Sequence, residues 1–294
     1  MIPINIMSLR HSAFYTPLLV CISGGFLKEQ GLEPHYEVQT TKRTVVDTIR
    51  SGETHLAQSA VATSFAALEK GEVIDIVHFA QINERDGFFL AGREAEPEFE
   101  WSKLIGREVL VDHFFQPLAM LRYALHKKGI AFDDIKVIDA GDVAAIDQAF
   151  RNGQGDFVHQ QGPAPQQLEQ DGLGHVVASV GEVVGPVAFS SLCASREWLA
   201  TDMARAFMHA YRKARQFSID APATELAQLV QSFFPTIDPA VLIHTVKTYQ
   251  QLGCWTADPA ISLAAYDNLL DVFLHSGLIQ QRHPYQAAIV TPPI

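Results

Sequence analysis

The segment from Thr16 to Glu33 reads Thr-Pro-Leu-Leu-Val-Cys-Ile-Ser-Gly-Gly-Phe-Leu-Lys-Glu-Gln-Gly-Leu-Glu and carries most of the information about the architecture. An apolar run leads into the pair Gly24-Gly25, and an extended stretch, Pro34–Val38, follows Gly31. Such an apolar run favours a helix, and glycines mark the place where a helix ends. The segment therefore predicts a helix after a first strand, then a glycine break and a second strand.

The composition is that of a globular protein with a large core. The chain has 294 residues, of which 48% are hydrophobic and 19% charged, and at this length two lobes or domains are expected. A net charge of −11, without any block of lysines and arginines, argues against a nucleic-acid partner. No apolar segment reaches the length that spans a bilayer, so we expect no membrane insertion.

Short β-like runs alternate with helical patterns before Arg196, and only helical patterns follow it. This alternation favours parallel sheets in an α/β architecture. Asp238-Pro239 and Asp258-Pro259 each read as a helix N-cap followed by a first-turn proline. The predicted strands are Ile4–Leu9, His35–Gln39, Leu56–Gln58, Ile74–Phe79, Phe88–Gly92, Glu108–Asp112, Val137–Asp139, Phe157–His159 and His175–Ala178. The predicted helices are Arg43–Ser51, Ser59–Lys70, Gln116–Lys128, Ala144–Arg151, Pro163–Gln170, Thr201–Ala221, Thr224–Phe234, Pro239–Tyr249 and Pro259–Ser276.

Cysteine and histidine spacing indicates neither a disulfide framework nor a metal centre. Cys21, Cys193 and Cys254 are far apart, and their odd number favours a reducing compartment. The histidines lack the helical i, i+4 spacing of a zinc-protease motif, and no Cys/His cluster is local. The nucleophile elbow, the phosphate-binding loop and the dinucleotide fingerprint are absent too. We expect no metal, no cofactor and no catalytic residue.

The spacing of Gly24, Phe26, Gly31 and Leu32 resembles the opening of the periplasmic-binding-protein-like family, in its branch for alkanesulfonates, nitrate and thiamine-pyrimidine precursors. The resemblance implies an α/β, two-lobed type II fold with a hinge between the lobes and a small-molecule site between them. It assigns residues 1–88 and 190–294 to lobe one and residues 89–189 to lobe two. Phe88–Gly92 and Phe189–Ala194 would be the two crossing segments.

The turns that follow predicted strands carry the candidate ligand contacts, because ligands of open α/β sheets bind beyond the carboxyl ends of the strands. An arginine there would bind an anionic group in a fork, amides suit the edge of a heterocycle, and aromatic rings stack on flat groups. The alternatives are helix capping for the serines, solvation for the amides, core packing for the aromatics and a surface pair with Asp86 for Arg85. The candidates are Arg10, His11, Ser12, Tyr15, Gln58, Ser59, Asn83, Arg85, Asp112, His113, Phe114, Gln160 and Gln161. We expect one cleft to be lined by at least half of Arg10, His11, Gln58, Asn83, Asp112, His113 and Gln160.

The family has an enzyme branch that makes the thiamine pyrimidine, with an active-site histidine early in the helix after the third strand. Thr63 matches that histidine, and threonine has no imidazole nitrogen that could be supplied to the pyrimidine product. A cysteine-rich motif near the return crossing is matched by Pro186–Ser190, which keeps a phenylalanine and has no cysteine. The resemblance therefore favours a binding protein over a pyrimidine synthase.

The leading interpretation is a small-molecule binding protein that closes two lobes over an aromatic, heterocyclic or anionic ligand resembling a thiamine precursor or a sulfonate. The alternative is an enzyme of thiamine-pyrimidine or other small-metabolite metabolism, with His11, His113 or Asp112 as acid or base. The implied partners are the ligand and, in a transport role, the membrane component of an ABC importer. Arg10, His11 and Pro17 interrupt any apolar leader before Cys21, so the chain as written is predicted to be cytoplasmic, or periplasmic if a leader has been removed.

Overall fold

One five-stranded sheet contains both the start of the chain and a strand that returns from beyond residue 189. In the computed structural model, which describes residues 1–294, its strand order is β2-β1-β3-β10-β4. The strands β1 (Ile2–Ser8), β2 (Leu32–Val38) and β3 (Leu56–Ser59) run parallel, and β10 (Ser190–Ser195) runs antiparallel between β3 and β4 (Ile76–Asn83). The carboxyl ends of β1 and β3 therefore lie side by side at one edge of this sheet.

The second sheet repeats the arrangement with different strands, in the order β7-β6-β8-β5-β9. Here β6 (Glu108–Val111), β7 (Lys136–Ile138) and β8 (Phe157–Gln161) run parallel. The strand β5 (Phe88–Gly92) is antiparallel to both β8 and β9 (His175–Ser179). The carboxyl ends of β6 and β8 are the counterparts of those of β1 and β3.

The chain passes between the two sheets twice, once between β4 and β5 and once between β9 and β10. Residues 84–87 make the first passage, and residues 180–189, with α8 (Val180–Val184), make the second. The predicted crossing segments, Phe88–Gly92 and Phe189–Ala194, are almost entirely strand, because buried apolar runs of this kind pair within sheets. The two passages touch, since Val187 N donates to Glu84 O at 2.8 Å.

The opening segment forms the predicted helix, break and strand. Helix α1 (Thr16–Ser23) ends at Gly24, and Gly25, at φ 85°, starts the single turn of α2 (Phe26–Glu29). Gly31, at φ 75°, then turns the chain into β2. Such positive φ values favour glycine, which explains the spacing of the two glycines. Most of α1 is buried against the later helices, as its uninterrupted apolar sequence indicated.

Two predicted helix starts have different outcomes. Asp238 caps its helix by accepting from Ala240 N at 2.7 Å, as predicted. The Asp258-Pro259 prediction is wrong, because Ser262 is the cap and accepts from Ala265 N at 3.1 Å.

The predicted helix at 59–70 is a 3₁₀-helix (Val61–Ser64) followed by α4 (Phe65–Glu69). The remaining helices are α3 (Val45–Arg50), α5 (Phe115–Lys127), α6 (Val143–Arg151), α7 (Ala164–Gln170), α9 (Arg196–Leu199), α10 (Asp202–Asp220), α11 (Ala223–Val230), α12 (Pro239–Gln251), α13 (Leu263–His275) and α14 (Tyr285–Ala288).

The main hydrophobic core is a continuous cluster of 65 buried residues that draws on both sheets, so the two halves are packed against each other near the crossings. Cys21, Cys193 and Cys254 are buried within the apolar interior as free thiols. No group of three or more histidine, cysteine and acidic side chains comes together in a way that would hold a metal ion. None of the helices is both long enough and apolar enough to cross a bilayer.

Arg215 of α10 is a fully buried cation that ties the helical half to the first sheet. Its guanidinium donates to the carbonyls of Gln81 at 3.0 Å and Ile82 at 2.9 Å, both in β4, and to the Thr256 carbonyl. Buried charges are tolerated where hydrogen bonds satisfy their donors. This contact holds the end of β4, from which the chain enters the first crossing.

Candidate functional site

A small cavity lies between the two sheets, where strand ends from both meet. It has a volume of about 30 Å³, room for no more than a few water molecules. Its walls come from the turns after β1 and β3, the start of α5, the end of β8 and the two crossings. The lining residues are Leu9, Arg10, Tyr15, Gln58, Ala60, Phe88, Phe114, Gln116, Pro117, Gln161, Phe189 and Ser190.

Gln58 shapes the wall from the first sheet. The side chain is buried at the end of β3, and its Oε1 accepts from Ser8 Oγ at 2.8 Å, from Leu9 N at 3.1 Å and from Arg10 N at 3.3 Å. An amide oxygen with three donors has no acceptor capacity left for a ligand. Gln58 therefore acts on the site by fixing the turn that presents Arg10.

An ion pair joins the two sheets beside the cavity, which Arg10 lines. Arg10 Nη2 lies 2.9 Å from Asp112 Oδ2, so a residue that follows β1 of the first sheet holds one that follows β6 of the second. Asp112 Oδ1 accepts from Phe114 N at 2.8 Å, which orients the carboxylate. The guanidinium carbon lies 5.8 Å from the Phe88 ring centre and 5.3 Å from that of Phe114, distances at which a cation is attracted by the ring faces.

The remaining walls are aromatic and amide groups. Phe189 and Phe88 stand at the crossings, and Gln116 Nε2 donates to the Phe189 carbonyl at 2.9 Å. The Oε1 of Gln116 is buried and has no hydrogen-bond partner, which leaves it able to accept one. Tyr15 is buried, and that burial raises the pKa of its hydroxyl, so it remains a neutral donor. The cavity thus offers flat apolar faces together with a few polar groups.

Two buried titratable groups beside the cavity are neutral near pH 7. Burial raises the pKa of Asp86 to about 8, the hydrogen bond from Phe88 N lowers it, and the nearby charge of Asp112 raises it further. Burial lowers the pKa of His159 to about 4, and its ring stacks on Phe88 with the ring centres 4.7 Å apart. The formal charges at the cavity wall are therefore those of Arg10 and Asp112, which balance each other.

Hydrogen bonds around the cavity also join the two halves. Ser12 Oγ donates to the Gly162 carbonyl at 2.9 Å, and Gly162 N donates to the Tyr249 hydroxyl at 2.9 Å. That hydroxyl in turn donates to the Gly87 carbonyl in the first crossing at 3.0 Å. Gly162 fits here because a Cβ would stand 2.6 Å from the Tyr249 hydroxyl. These bonds connect the turn after β1, the turn after β8 and helix α12.

A larger outer groove, with a volume of about 480 Å³, adjoins the cavity at Arg10 and Gln161, which line both. His11 is held at its rim, with Nδ1 3.0 Å from the Tyr36 hydroxyl and Nε2 2.9 Å from the Phe233 carbonyl. The groove is lined by Arg10, His11, Ser12, Val143, Gln161, Gly162, Pro163, Ala164, Phe233, Phe234, Pro235, Thr236 and Ile237. Arg10 and Gln161 thus separate the cavity from the more open space outside it.

The structure brings together some of the predicted site residues. Arg10, Tyr15, Gln58, Phe114 and Gln161 line the cavity, and Asp112 reaches it through its ion pair with Arg10. In the outer groove lie His11 and Ser12, and the Ser12 hydroxyl also accepts from Phe14 N at 3.1 Å as a helix cap.

Five other predicted residues turn away from the cavity because their side chains are engaged elsewhere. Asn83 Nδ2 donates to the Phe14 carbonyl, Arg85 reaches the Gly181 carbonyl, and Ser59 Oγ lies 3.3 Å from Thr63 Oγ1. His113 contacts the Val111 carbonyl through Nδ1, and Gln160 Nε2 donates to Asp147. The expectation that at least half of the seven selected residues would share a cleft is not met, since only Arg10 and Gln58 of the seven line it.

Several wall residues were not among the candidates. Ala60, Gln116 and Pro117 lie one to three positions from a named candidate. Phe88 and Phe189 lie at the predicted crossings, which in a two-lobed fold border the cleft, and that position was the available signal. Ser190 lies in the second predicted crossing and Leu9 directly precedes the candidate Arg10, so the sequence carried a similar signal for both.

Thr63, the counterpart of the enzyme branch's histidine, does not line the cavity. It lies in the 3₁₀-helix Val61–Ser64, where Oγ1 donates to the Ala60 carbonyl at 2.8 Å. A separate pocket of about 220 Å³ between β3, β4, β10 and the neighbouring helices contains it, together with His78 and Cys193.

Comparison with solved structures identifies the fold. The alkanesulfonate-binding protein SsuA from Xanthomonas axonopodis pv. citri, bound to MOPS, superposes with a TM-score of 0.74 at 14% identity, covering 99% of each chain. The ligand-binding component of an ABC-type import system from Staphylococcus aureus, with zinc bound, gives 0.75 at 16% identity, covering 99% of this chain and 97% of that one. The predicted two-lobed, periplasmic-binding-protein-like fold is confirmed.

Sequence comparison identifies the family. A Bacillus subtilis (strain 168) protein named "Putative binding protein YtlA" is 30% identical over 293 residues, covering 97% of this chain and 87% of its own length. The family model described as NMT1/THI5 like matches residues 13–225, well over half of the chain. The chain therefore belongs to the NMT1/THI5-like family.

Proposed function

We propose that this protein is a solute-binding protein whose two lobes close over a small molecule in the cavity between the sheets. The observation that carries the proposal is the Arg10–Asp112 ion pair, because it joins strand ends of the two sheets beside a cavity that residues of both sheets line. The binding-protein name of the B. subtilis relative and the sulfonate-binding name of the SsuA neighbour support it.

Ligand entry requires the lobes to separate. The cavity volume of about 30 Å³ is far below the range of about 300 to 1,000 Å³ that is typical of small-molecule sites. The lobes would be residues 1–88 with 190–294 and residues 89–189, turning about the crossings at 84–87 and 180–189. A ligand favours closure only if it contacts both lobes, since only differential affinity shifts such an equilibrium.

The proposed ligand is small and flat or anionic. Phe88, Phe114 and Phe189 provide faces for a ring, while Arg10 supplies a guanidinium for an acidic group. Of the original candidates, Arg10, Tyr15, Phe114 and Gln161 are the proposed direct contacts. Gln58 and Asp112 would position Arg10.

The partner and the compartment are part of the same proposal. Three of the similar solved structures are named as ABC transporters or parts of ABC transport systems, and another, the aliphatic sulphonate binding protein SsuA from Escherichia coli, is named periplasmic. Delivery to the membrane component of an ABC importer is the corresponding role here. Cell fractionation and co-purification with membrane permease subunits separate this role from that of a cytoplasmic carrier or sensor.

A ligand screen tests the proposal. Native mass spectrometry is followed by thermal-shift measurements with pyrimidines, thiamine precursors, alkanesulfonates and small carboxylates, because a ligand that binds only the folded state raises its stability. We expect at least one compound to raise the melting temperature and to compact the protein in small-angle X-ray scattering. A turnover product instead of a stable complex would support the enzyme alternative.

Phe114→Ala and Phe115→Ala form a matched pair for locating the site. Phe114 is 49% exposed and lines the cavity, whereas its neighbour Phe115 packs edge-on against Phe273, with ring centres 5.1 Å apart. We expect Phe114→Ala to weaken binding of the screened ligand and Phe115→Ala to leave affinity unchanged. Equal affinities in both variants would place the ligand elsewhere.

A further inference from the structure

The Arg10–Asp112 pair constrains what can enter the cavity. The Asp112 side chain is 8% exposed and that of Arg10 is 21% exposed, so both charges are largely withdrawn from water. Asp112 has Arg10 as its cationic partner and Phe114 N as its other donor. Arg10 has Asp112 as its acidic partner, and its Nη1 is buried without a hydrogen-bond partner. Each charge therefore depends on the other for neutralisation.

Neighbouring groups do not replace either partner. Asp86 and His159, which are buried next to the pair, are both neutral near pH 7 because of their burial. Arg85 is turned toward the Gly181 carbonyl, and His113 lies toward Asp139, with Nδ1 3.7 Å from its carboxylate. A molecule that separates Arg10 from Asp112 therefore has to satisfy both of them itself.

A purely anionic molecule would satisfy only half of this requirement. It would pair with Arg10 but leave the Asp112 carboxylate buried, unpaired and close to a second negative charge. Leaving one member of a buried charge pair without its partner is strongly unfavourable. A purely cationic molecule would pair with Asp112 but leave the Arg10 guanidinium buried, unpaired and close to a second positive charge.

We propose that the ligand is dipolar: it carries an anionic or strongly accepting group for Arg10 and a cationic or N–H-donating group for Asp112, on a body that fits between Phe88 and Phe114. Small amino-sulfonates, amino-carboxylates and aminated heteroaromatic acids have this chemistry. Paired with each other, Arg10 and Asp112 take the places that the two ends of the ligand would occupy. The unpartnered acceptor Gln116 Oε1 offers a second place for an N–H group. This inference rests on the proposed binding function.

Two matched series of probes test the inference by calorimetry on the full chain. The flat series is 6-aminonicotinate, nicotinate and 2-aminopyridine, and the aliphatic series is taurine, isethionate and ethanolamine. Each series compares a dipolar compound with an anion and a cation of similar size. In at least one series we expect the dipolar compound to bind at least about tenfold more tightly than either relative, because an unmatched buried polar group is costly.

Asp112→Asn gives an independent readout. The asparagine oxygen still accepts from Phe114 N, but the negative charge is gone, so the anion of the responding series should gain affinity relative to the dipolar compound. Asp139→Asn, an exposed aspartate that does not line the cavity, is the control and should leave the ranking unchanged. Loss of the dipolar preference in Asp112→Asn but not in the control supports the inference.

Three outcomes overturn the inference. They are an equal or stronger affinity for nicotinate and isethionate, an unchanged ranking in Asp112→Asn, and no binding by any compound of either series. The broader screen distinguishes this failure from failure of the binding function. If that screen yields a ligand that compacts the protein, the binding function stands and only the dipolar requirement is lost.

Discussion

Replacing Asp86 by asparagine should make the protein more stable at neutral and alkaline pH. Asp86 is completely buried in the first crossing between the sheets, where its Oδ1 accepts from Phe88 N at 2.6 Å and its Oδ2 has no partner. Asparagine has nearly the same shape, keeps the acceptor for Phe88 N and cannot ionise. It therefore mimics the protonated acid without its dependence on pH.

The expected size follows from the pKa of this carboxyl group. Burial raises the pKa of Asp86 to about 8 in the folded protein, whereas an unperturbed aspartate has a pKa of about 3.9. Between these values the folded state holds one proton more than the unfolded chain, so stability falls as pH rises. The slope is about 1.4 kcal/mol per pH unit, and the loss approaches about 6 kcal/mol above pH 8. Below about pH 4 the carboxyl group is protonated in both states and the loss disappears.

Urea unfolding of the wild type and of Asp86→Asn from pH 4.5 to 8.5 measures this effect. The difference between the two free energies of unfolding isolates position 86, because the other titrating groups cancel. Asp133→Asn, at an exposed aspartate, is the control and should change the free energy of unfolding only slightly. A flat difference for Asp86→Asn, or one that favours the wild type as pH rises, would refute a neutral buried carboxyl group in the crossing.

Two further predictions concern the packing that holds the cleft. Arg215→Met should destabilise the protein by about 3 kcal/mol or more in urea unfolding, because buried carbonyl groups lose their donor. Arg212→Met is the comparison, since Arg212 is only partly buried and donates to the Pro293 carbonyl. Equal losses of stability in the two variants would contradict the role of Arg215 as a buried donor. Gly87→Ala places a Cβ 2.6 Å from the Phe14 ring, so we expect it to lower the free energy of unfolding by about 1 to 3 kcal/mol. Its melting temperature should be lower than that of Gly172→Ala, whose Cβ meets open space but whose positive φ carries its own strain. A smaller effect at Gly87 than at Gly172 would show that the first crossing can move to relieve the clash.

Local patterns predicted most of the secondary structure. The run Thr16–Ser23 is apolar enough to be a buried helix wherever it packs, and the glycines after it adopt positive φ values that other residues avoid. Asp238 caps its helix because an aspartate before a proline is a strong local signal. At Asp258 the same signal produced only a turn, because the Pro259 carbonyl accepts from Gln81 N of β4 at 2.7 Å and Ser262 starts the helix instead. There a tertiary contact prevailed over the local preference.

The α/β class, the family resemblance and the turns from which a site would be built can all be read from the sequence. Which side chains in those turns meet depends on the tertiary structure. Gln160 and Gln161 are adjacent, but successive residues of a strand point to opposite faces. The Gln160 side chain therefore reaches Asp147 of α6, and that of Gln161 lines the cavity. Arg10 and Asp112 are 102 positions apart and become partners because each follows a strand whose carboxyl end faces the cleft. Such pairings depend on how two sheets are placed in space, which no short-range pattern encodes.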